Sequence, residues 1–410
     1  MVDELRPISE DEHDQWNQVP YAGFSNIPEA GELAGWRERT EFDRTLVAIE
    51  DGQMVGTTAV NTYSMHVPGG AMVPTAGVTA VSVLPTHRRR GVLTSMMRRQ
   101  LDDVRARGEV LAALWASETV IYGRFGYGMA IPQETWRIER VRADLAKPAL
   151  EEGAGRVRFV DRAQALERFP ELYQRVVGST SGMLQPAEGW WNAQYGEGGW
   201  SEVNQKEEPF RVVFERDGET EGFASYKVNG FESARSIREL SVKSLYATTA
   251  EAHEGLWRFI FGVDLVEKVT ANHRAIDDAL PWMLRDMRRL ERDVFDAIWL
   301  RLVDVPAALA ARTYSAAGRL VLGMRDEFCP WNDGRYVLGA DEGGTASCAT
   351  SDDAPELELG ADALAAAYLG GVSFSTLARA GRVQEQVAGA VARADAMFRT
   401  ERAPWTALDF

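Results

Sequence analysis

The sequence predicts an α/β protein of mixed α+β character, with two successive units of similar element order followed by a third unit. Three observations carry this expectation. Residues 78–83 (VTAVSV) form a β-branched run of buried-strand length, followed by a basic turn and then by Leu93, Met97, Leu101 and Val104 at helical spacing. Residues 240–261 repeat the order strand then helix, without the basic turn. Beyond residue 294, short strand-like runs lead and apolar helical segments follow. At 410 residues and 45% apolar content, the chain can bury two or three cores.

Taken in order, residues 1–45 hold helical and loop segments, acidic except around 23–26 and 35–37. Strands follow at 46–49 and 54–60, joined by the hairpin signal Glu50-Asp51-Gly52. A turn at 67–70 precedes the central strand at 78–83. The helix after it spans 91–107 and stops at Gly108. Residues 110–115 (VLAALW) suit a buried strand beside the central one, 118–125 a short helix, and the alternating 135–140 an antiparallel strand. A first domain is therefore expected over 1–145. A glycine-containing linker at 148–155 opens a second domain, 146–293. Its expected elements are a strand at 157–160, a helix at 163–178, strands at 210–215 and 222–228 around the turn Asp217-Gly218-Glu219, a strand at 240–246 and a helix at 251–261. The third domain, 294–410, has expected strands at 299–303, 319–324, 334–338 and 357–359, and helices at 361–369 and 374–380.

The unit at 77–97 is the one with chemistry in it. A strand, a turn containing Arg88, Arg89, Arg90 and Gly91, and a helix start together form an anion cradle. The first helical N–H groups lack intrahelical partners, and the helix dipole adds partial positive charge there. Gly91 permits close backbone approach. The expected ligand is a pyrophosphate or similar anion. The competing reading is an ordinary strand–turn–helix with a solvated basic turn. Neither GxxxxGK[ST] nor GxGxxG occurs here. His87 beside the arginines reads as a solvated turn residue rather than a catalytic one.

Composition narrows the partners. A formal net charge of −16 disfavours nucleic acid and favours a cationic substrate, although acidity also serves solubility. No apolar run approaches membrane-spanning length, and the acidic start MVDELRPISE is not a signal peptide. No membrane partner is therefore expected, and the expected location is the cytoplasm, with a non-standard export route left open. Cys329 and Cys348 are too few for a metal cluster, so no metal is expected. They could pair, but a reduced state is the simpler reading.

The motif Arg88-x-x-Gly91-x-Leu93 after a strand resembles the coenzyme loop of GCN5-related N-acetyltransferases (GNAT), with Leu93 departing from the small residue common there. PTHRRRGVL, ASETVIYGRFGYG at 116–128, VPAALAAR at 305–312 and the ending TALDF together resemble the enhanced-intracellular-survival (Eis) family of multi-acetylating aminoglycoside N-acetyltransferases, across essentially the whole chain. The resemblance implies two tandem GNAT units, the second degenerate because its turn lacks Arg-x-x-Gly, and a C-terminal sterol-carrier-protein-like domain. It implies acetyl-CoA as cosubstrate, held by Arg89, Arg90, Gly91, Val92, Leu93 and Thr94 at the phosphates, by Val81, Ser82 and Val83 along the pantetheine, and by Ser117 and Glu118.

It further implies Tyr122 as general acid, with Tyr127 as the alternative, and the terminal carboxylate of Phe410 as base. A water relay, or Asp409 orienting the amine, stays open. Phe24 and Trp36 are implied in the acceptor pocket, cationic small-molecule amines as acceptors, and a homohexamer as the assembly. Two rival readings stand beside this one. One is acetylation of protein lysines or polyamines in the same site. The other is a non-catalytic acetyl-CoA sensor with a lipid-carrying third domain.

Overall fold

The computed structural model describes residues 2–27, 32–147, 155–186, 189–195, 208–230 and 236–410. The linker expected at 148–155 lies outside these residues except for Gly155.

One large sheet runs through both of the first two units. Its strands are β1 (Glu4–Arg6), β2 (Thr45–Glu50), β3 (Gln53–His66), β4 (Met72–Val83), β5 (Leu111–Trp115), β6 (Gly128–Glu139), β7 (Arg156–Phe159), β8 (Leu184–Pro186), β9 (Phe210–Arg216), β10 (Glu219–Asn229), β11 (Glu239–Ala247), β12 (Lys268–Ala275) and β13 (Glu291–Leu302). The order across it is β1-β2-β3-β4-β5-β13-β6-β12-β11-β10-β9-β7, with β8 also paired to β3. The helices that shape the site are α1 (His13–Gly23), α2 (Glu32–Arg39), α3 (Val92–Ala106), α4 (Thr119–Tyr122), α5 (Arg162–Val177), α6 (Trp190–Tyr195) and α7 (Ala250–Gly262).

The repeat expected from element order is present. In the first unit β4 and β5 are parallel, with α3 as the crossover between them. In the second, β11 and β12 are parallel, with α7 as the crossover. Parallel neighbours need such a crossover, and the apolar face of the helix buries one side of the sheet. Met96, Met97, Leu101 and Val104 of α3 are buried against it, as are Leu256, Trp257 and Ile260 of α7.

Two strands weld the units together. β6 pairs with β12, bringing Ile138 opposite Val269. β13 lies between β5 and β6, antiparallel to both, so that Leu300 faces Ala113 on one side and Gly128 on the other. The division expected at 293/294 falls inside this strand. No described helix is long and apolar enough to cross a membrane.

The third unit has a five-stranded sheet built from β14 (Gly318–Arg325), β15 (Gly334–Ala340), β16 (Ala346–Thr350), β17 (Leu357–Gly360) and β18 (Val383–Glu385). Helices Ala361–Tyr368, Phe374–Arg379 and Ala390–Phe398 cover it. Leu364, Tyr368, Phe374, Met397 and Phe398 fill the space between them and are all almost completely buried. The guanidinium of Arg312 also lies inside, 4.7 Å from the rings of Tyr314 and Phe398 and donating to the carbonyls of Tyr368 and Phe398. Cys329 and Cys348 are both free thiols.

A buried ion pair ties this unit to the large sheet. Arg301 of β13 is fully buried and donates to Asp326, just after β14. Asp326→Ala leaves that guanidinium without its counter-charge, and the expected loss is about 3–5 kcal/mol of unfolding free energy. Replacing both residues by apolar ones of similar volume is expected to recover most of it. Urea denaturation midpoints of the single and double variants test this.

Candidate active site

The site begins where β4 and β5 part. Their parallel pairing ends at Val78 opposite Leu114. One residue on, the register of β4 against β3 shifts between Thr79 and Ser82, and Ala80 takes a φ of 50°. This is a bulge, and it bends β4 away from its neighbour. Among the described residues, no strand pairs with β4 on its β5 side beyond Val78. Val81, Ser82 and Val83 therefore carry backbone groups along an open edge. The Ser82 side chain turns to α1, its Oγ 3.4 Å from the carbonyl of Val19, so only its backbone is available to a ligand.

The basic turn closes one end of this opening. Arg88 staples it in place, donating to the carbonyls of Val83 (3.3 Å) and Gly23 (2.8 Å). Arg89 is exposed with a φ of 62°, and Gly91 starts α3 with a φ of 86° and no side-chain cap on the helix. The N–H groups of Val92, Leu93 and Thr94 belong to the uncapped first turn. A Cβ on Gly91 would meet nothing within 4 Å. Glycine suits the left-handed backbone there, a requirement separate from the close ligand approach expected of it.

Arg90 is not a simply solvated cation. Its guanidinium sits 2.6 Å from Glu50 on β2, so its charge is already paired. His87 is not simply solvated either. It is half-buried, with Nδ1 2.8 Å from the Thr86 hydroxyl and Nε2 3.7 Å from Glu50.

A cavity of about 380 Å3 opens where β4, β5 and α1 meet. Val81, Ser117, Tyr122, Phe24, Trp36 and Phe410 all border it. Glu118 is exposed and sits at the N-cap of α4. Tyr122 ends α4 and is 4% exposed, and burial pushes its phenol up to about 12. Tyr127 packs edge-on against it at 6.1 Å, with a wholly buried hydroxyl that has no partner among the described residues and does not border the cavity. Tyr127 therefore supports the Tyr122 ring rather than facing a substrate.

A second cavity of about 440 Å3 adjoins the first, sharing Trp36, Arg39, Thr79 and Phe410 as its wall. Its far side comes from the second unit, through Lys243, Ser244 and Tyr246 of β11 and His273 of β12. Asp409 borders this second cavity and not the first. Charges around the two cavities are mixed among the described residues: Glu41 and Asp409 stand against Arg39 and Lys243. Arg39 and His273 escaped sequence reading because nothing local marks them; each matters only through residues far away in the chain.

The tail that delivers Phe410 is held at several points. The backbone N–H of Ala403 donates to Asp277 (2.8 Å) and that of Trp405 to Ser181 (2.8 Å). The Trp405 indole donates to the carbonyl of His273 (2.7 Å), and Gln133 donates to the carbonyl of Thr406. The Phe410 ring then packs 5.1 Å from Tyr63.

Residues 4–130 and 182–302 each match the family described as acetyltransferase (GNAT) domain, and residues 305–407 match the sterol carrier protein domain. With the parted strands and the glycine-started helix, these matches define an N-acetyltransferase of the GNAT class, whose fold uses acetyl-CoA. An uncharacterised N-acetyltransferase of Streptomyces coelicolor is 44% identical over 99% of both chains. N-acetyltransferase Eis of Mycobacterium tuberculosis is 32% identical over 95% of both. The crystal structure of Eis1 from Mycobacterium abscessus has a TM-score of 0.86 at 33% identity, covering 99% of this chain and all of that one. The chain belongs to the Eis family of N-acetyltransferases.

Proposed function

We propose that this N-acetyltransferase moves the acetyl group of acetyl-CoA directly onto an amine of a cationic acceptor such as an aminoglycoside. Tyr122 is the acid and the terminal carboxylate of Phe410 the base. The observation that carries this reading is that Tyr122 and Phe410 border one cavity at the open edge of β4.

The coenzyme enters with its pyrophosphate at the first-turn N–H groups of α3 and its pantetheine along Val81–Val83. The acceptor ammonium loses a proton to the Phe410 carboxylate, directly or through water. The neutral amine attacks the thioester carbon. The C–N bond forms, the C–S bond breaks, the thiolate takes the Tyr122 proton, and the proton the nitrogen sheds on becoming an amide restores the Tyr122 phenol. A phenol at about 12 stays protonated at any working pH. It is a weaker acid than an ordinary tyrosine, so transfer depends on the thiolate also being desolvated, which raises its own proton affinity.

The acceptor part of the reading is supported by the acidic chain and by Asp409, Glu41 and the chain terminus around the paired cavities. Arg39 and Lys243 limit how many cationic groups can be seated there. Thiol release with acetyl-CoA tests it, using aminoglycosides, polyamines and lysine peptides as acceptors. Turnover confined to lysine peptides would overturn the small-molecule reading.

The turn provides a separate check. Gly91→Ala places an L-residue at a φ of 86° and is expected to cost about 1 kcal/mol locally. The KM for acetyl-CoA should rise by about tenfold while kcat changes little, because the phosphates are bound alike in ground and transition states. Arg89→Ala should act in the same direction.

A further inference from the structure

We infer that the second unit holds a separate binding site for a small aromatic carboxylic acid. The site is a cavity of about 650 Å3 bounded by the end of β11, the start of α7 and the tail around Arg402 and Trp405. It arises as the coenzyme opening does. β11 and β12 stay in parallel register only to Val242 opposite Ala271, after which the register of β12 against β6 shifts and His273 takes a φ of 55°. The strand ends separate and leave a wedge in front of a helix start.

The chemistry of this wedge differs from that of the first. The turn before α7 has no glycine, and the Thr249 hydroxyl already accepts from the N–H of Ala252 at 3.2 Å. Glu221 lies 2.9 Å from the same hydroxyl. A pyrophosphate has no cradle there, so side chains set the preference. Tyr246, Trp282 and Trp405 supply aromatic surface. Arg274 lies beneath, 5% exposed, with its guanidinium 5.6 Å from the rings of Trp136, Trp257 and Trp405, and its Nε has no acceptor among the described residues.

The charges are unbalanced. Lys147, Arg258, Arg274 and Arg402 border the cavity against two carboxylates, Glu254 and Asp278, with Asp277 outside its wall and 4.0 Å from Arg402. Both acids are engaged: Glu254 with Arg258 at 2.7 Å, Asp278 with Arg274 at 2.6 Å and His253 at 3.1 Å. Although burial opposes it, Arg274 and His253 pull the Asp278 carboxyl well below its usual range. In a chain of net charge −16, this is a locally cationic, aromatic pocket of ordinary ligand size. It suits a flat apolar body bearing one carboxylate.

Naphthalene-2-carboxylate is the probe, titrated calorimetrically into the full chain saturated with coenzyme A. The expected Kd is below about 1 mM. Lys147→Ala with Arg402→Ala should weaken it by about tenfold or more, as should Trp282→Ala alone, a change at an 80% exposed residue that leaves the fold intact. Naphthalene-2-carboxamide should bind about tenfold more weakly. A Kd above about 5 mM, binding that neither variant alters, or equal affinity for the amide would each overturn the assignment.

Discussion

Replacing Tyr122 with Phe is expected to lower kcat by about 10²–10⁴-fold while acetyl-CoA still binds. The change removes one hydroxyl from a ring that otherwise keeps its contacts with Tyr127, so the cavity wall should stay in place. Thiol release measures the first effect, and calorimetric binding of coenzyme A the second. The pH profile adds a separate expectation. Because burial holds the phenol at about 12, the acid form persists well past pH 10. Any fall in kcat of the unmodified enzyme between pH 8 and 10 must come from another group. A Tyr122→Phe enzyme with more than about a tenth of normal kcat would remove this residue from the chemistry.

The second large effect is expected at the chain end. Adding a few residues after Phe410 removes the free α-carboxylate and puts a peptide bond in its place. Activity should fall by about 10²-fold or more. The holding contacts lie upstream, at Ala403, Trp405 and Thr406, so the extended tail should stay docked and the melting temperature should change little. Loss of turnover with unchanged melting and unchanged coenzyme binding is the expected combination. Equal turnover in both forms would leave a side chain or a water as the base.

Much of this architecture was legible where local signals were strong. The run at 78–83, the helical spacing after Gly91 and the apolar run at 110–115 lead directly to β4, α3 and β5. The second unit followed from the same patterns, apart from the short β8 and α6 and from β12. Its sequence KVTANHRA carries few apolar residues: Val269 and Ala271 are buried, while Asn272 and His273 border the second cavity. The expected strand at 299–303 corresponds to the end of β13, but its place between β5 and β6 depends on pairings about 150–190 residues away in the chain, which no local pattern encodes. The site divides in the same way. The basic turn was visible as a turn, but the Arg90–Glu50 pair, the wall shared by Trp36 and Arg39, and the contribution of His273 come only from tertiary assembly.

The position of β13 also bears on how the protein is made. During synthesis, β5 and β6 emerge from the ribosome well before residues 291–302, the segment that fills the gap between them. Until then the amino-terminal half presents two bare strand edges, and β6 also waits for β12. Non-local pairings of this kind form slowly and leave partly built sheets open to aggregation. A nascent chain halted near residue 290 should therefore depend on chaperones. The amino-terminal acetyltransferase unit should not be obtainable as a free-standing fragment, however self-contained its motifs look.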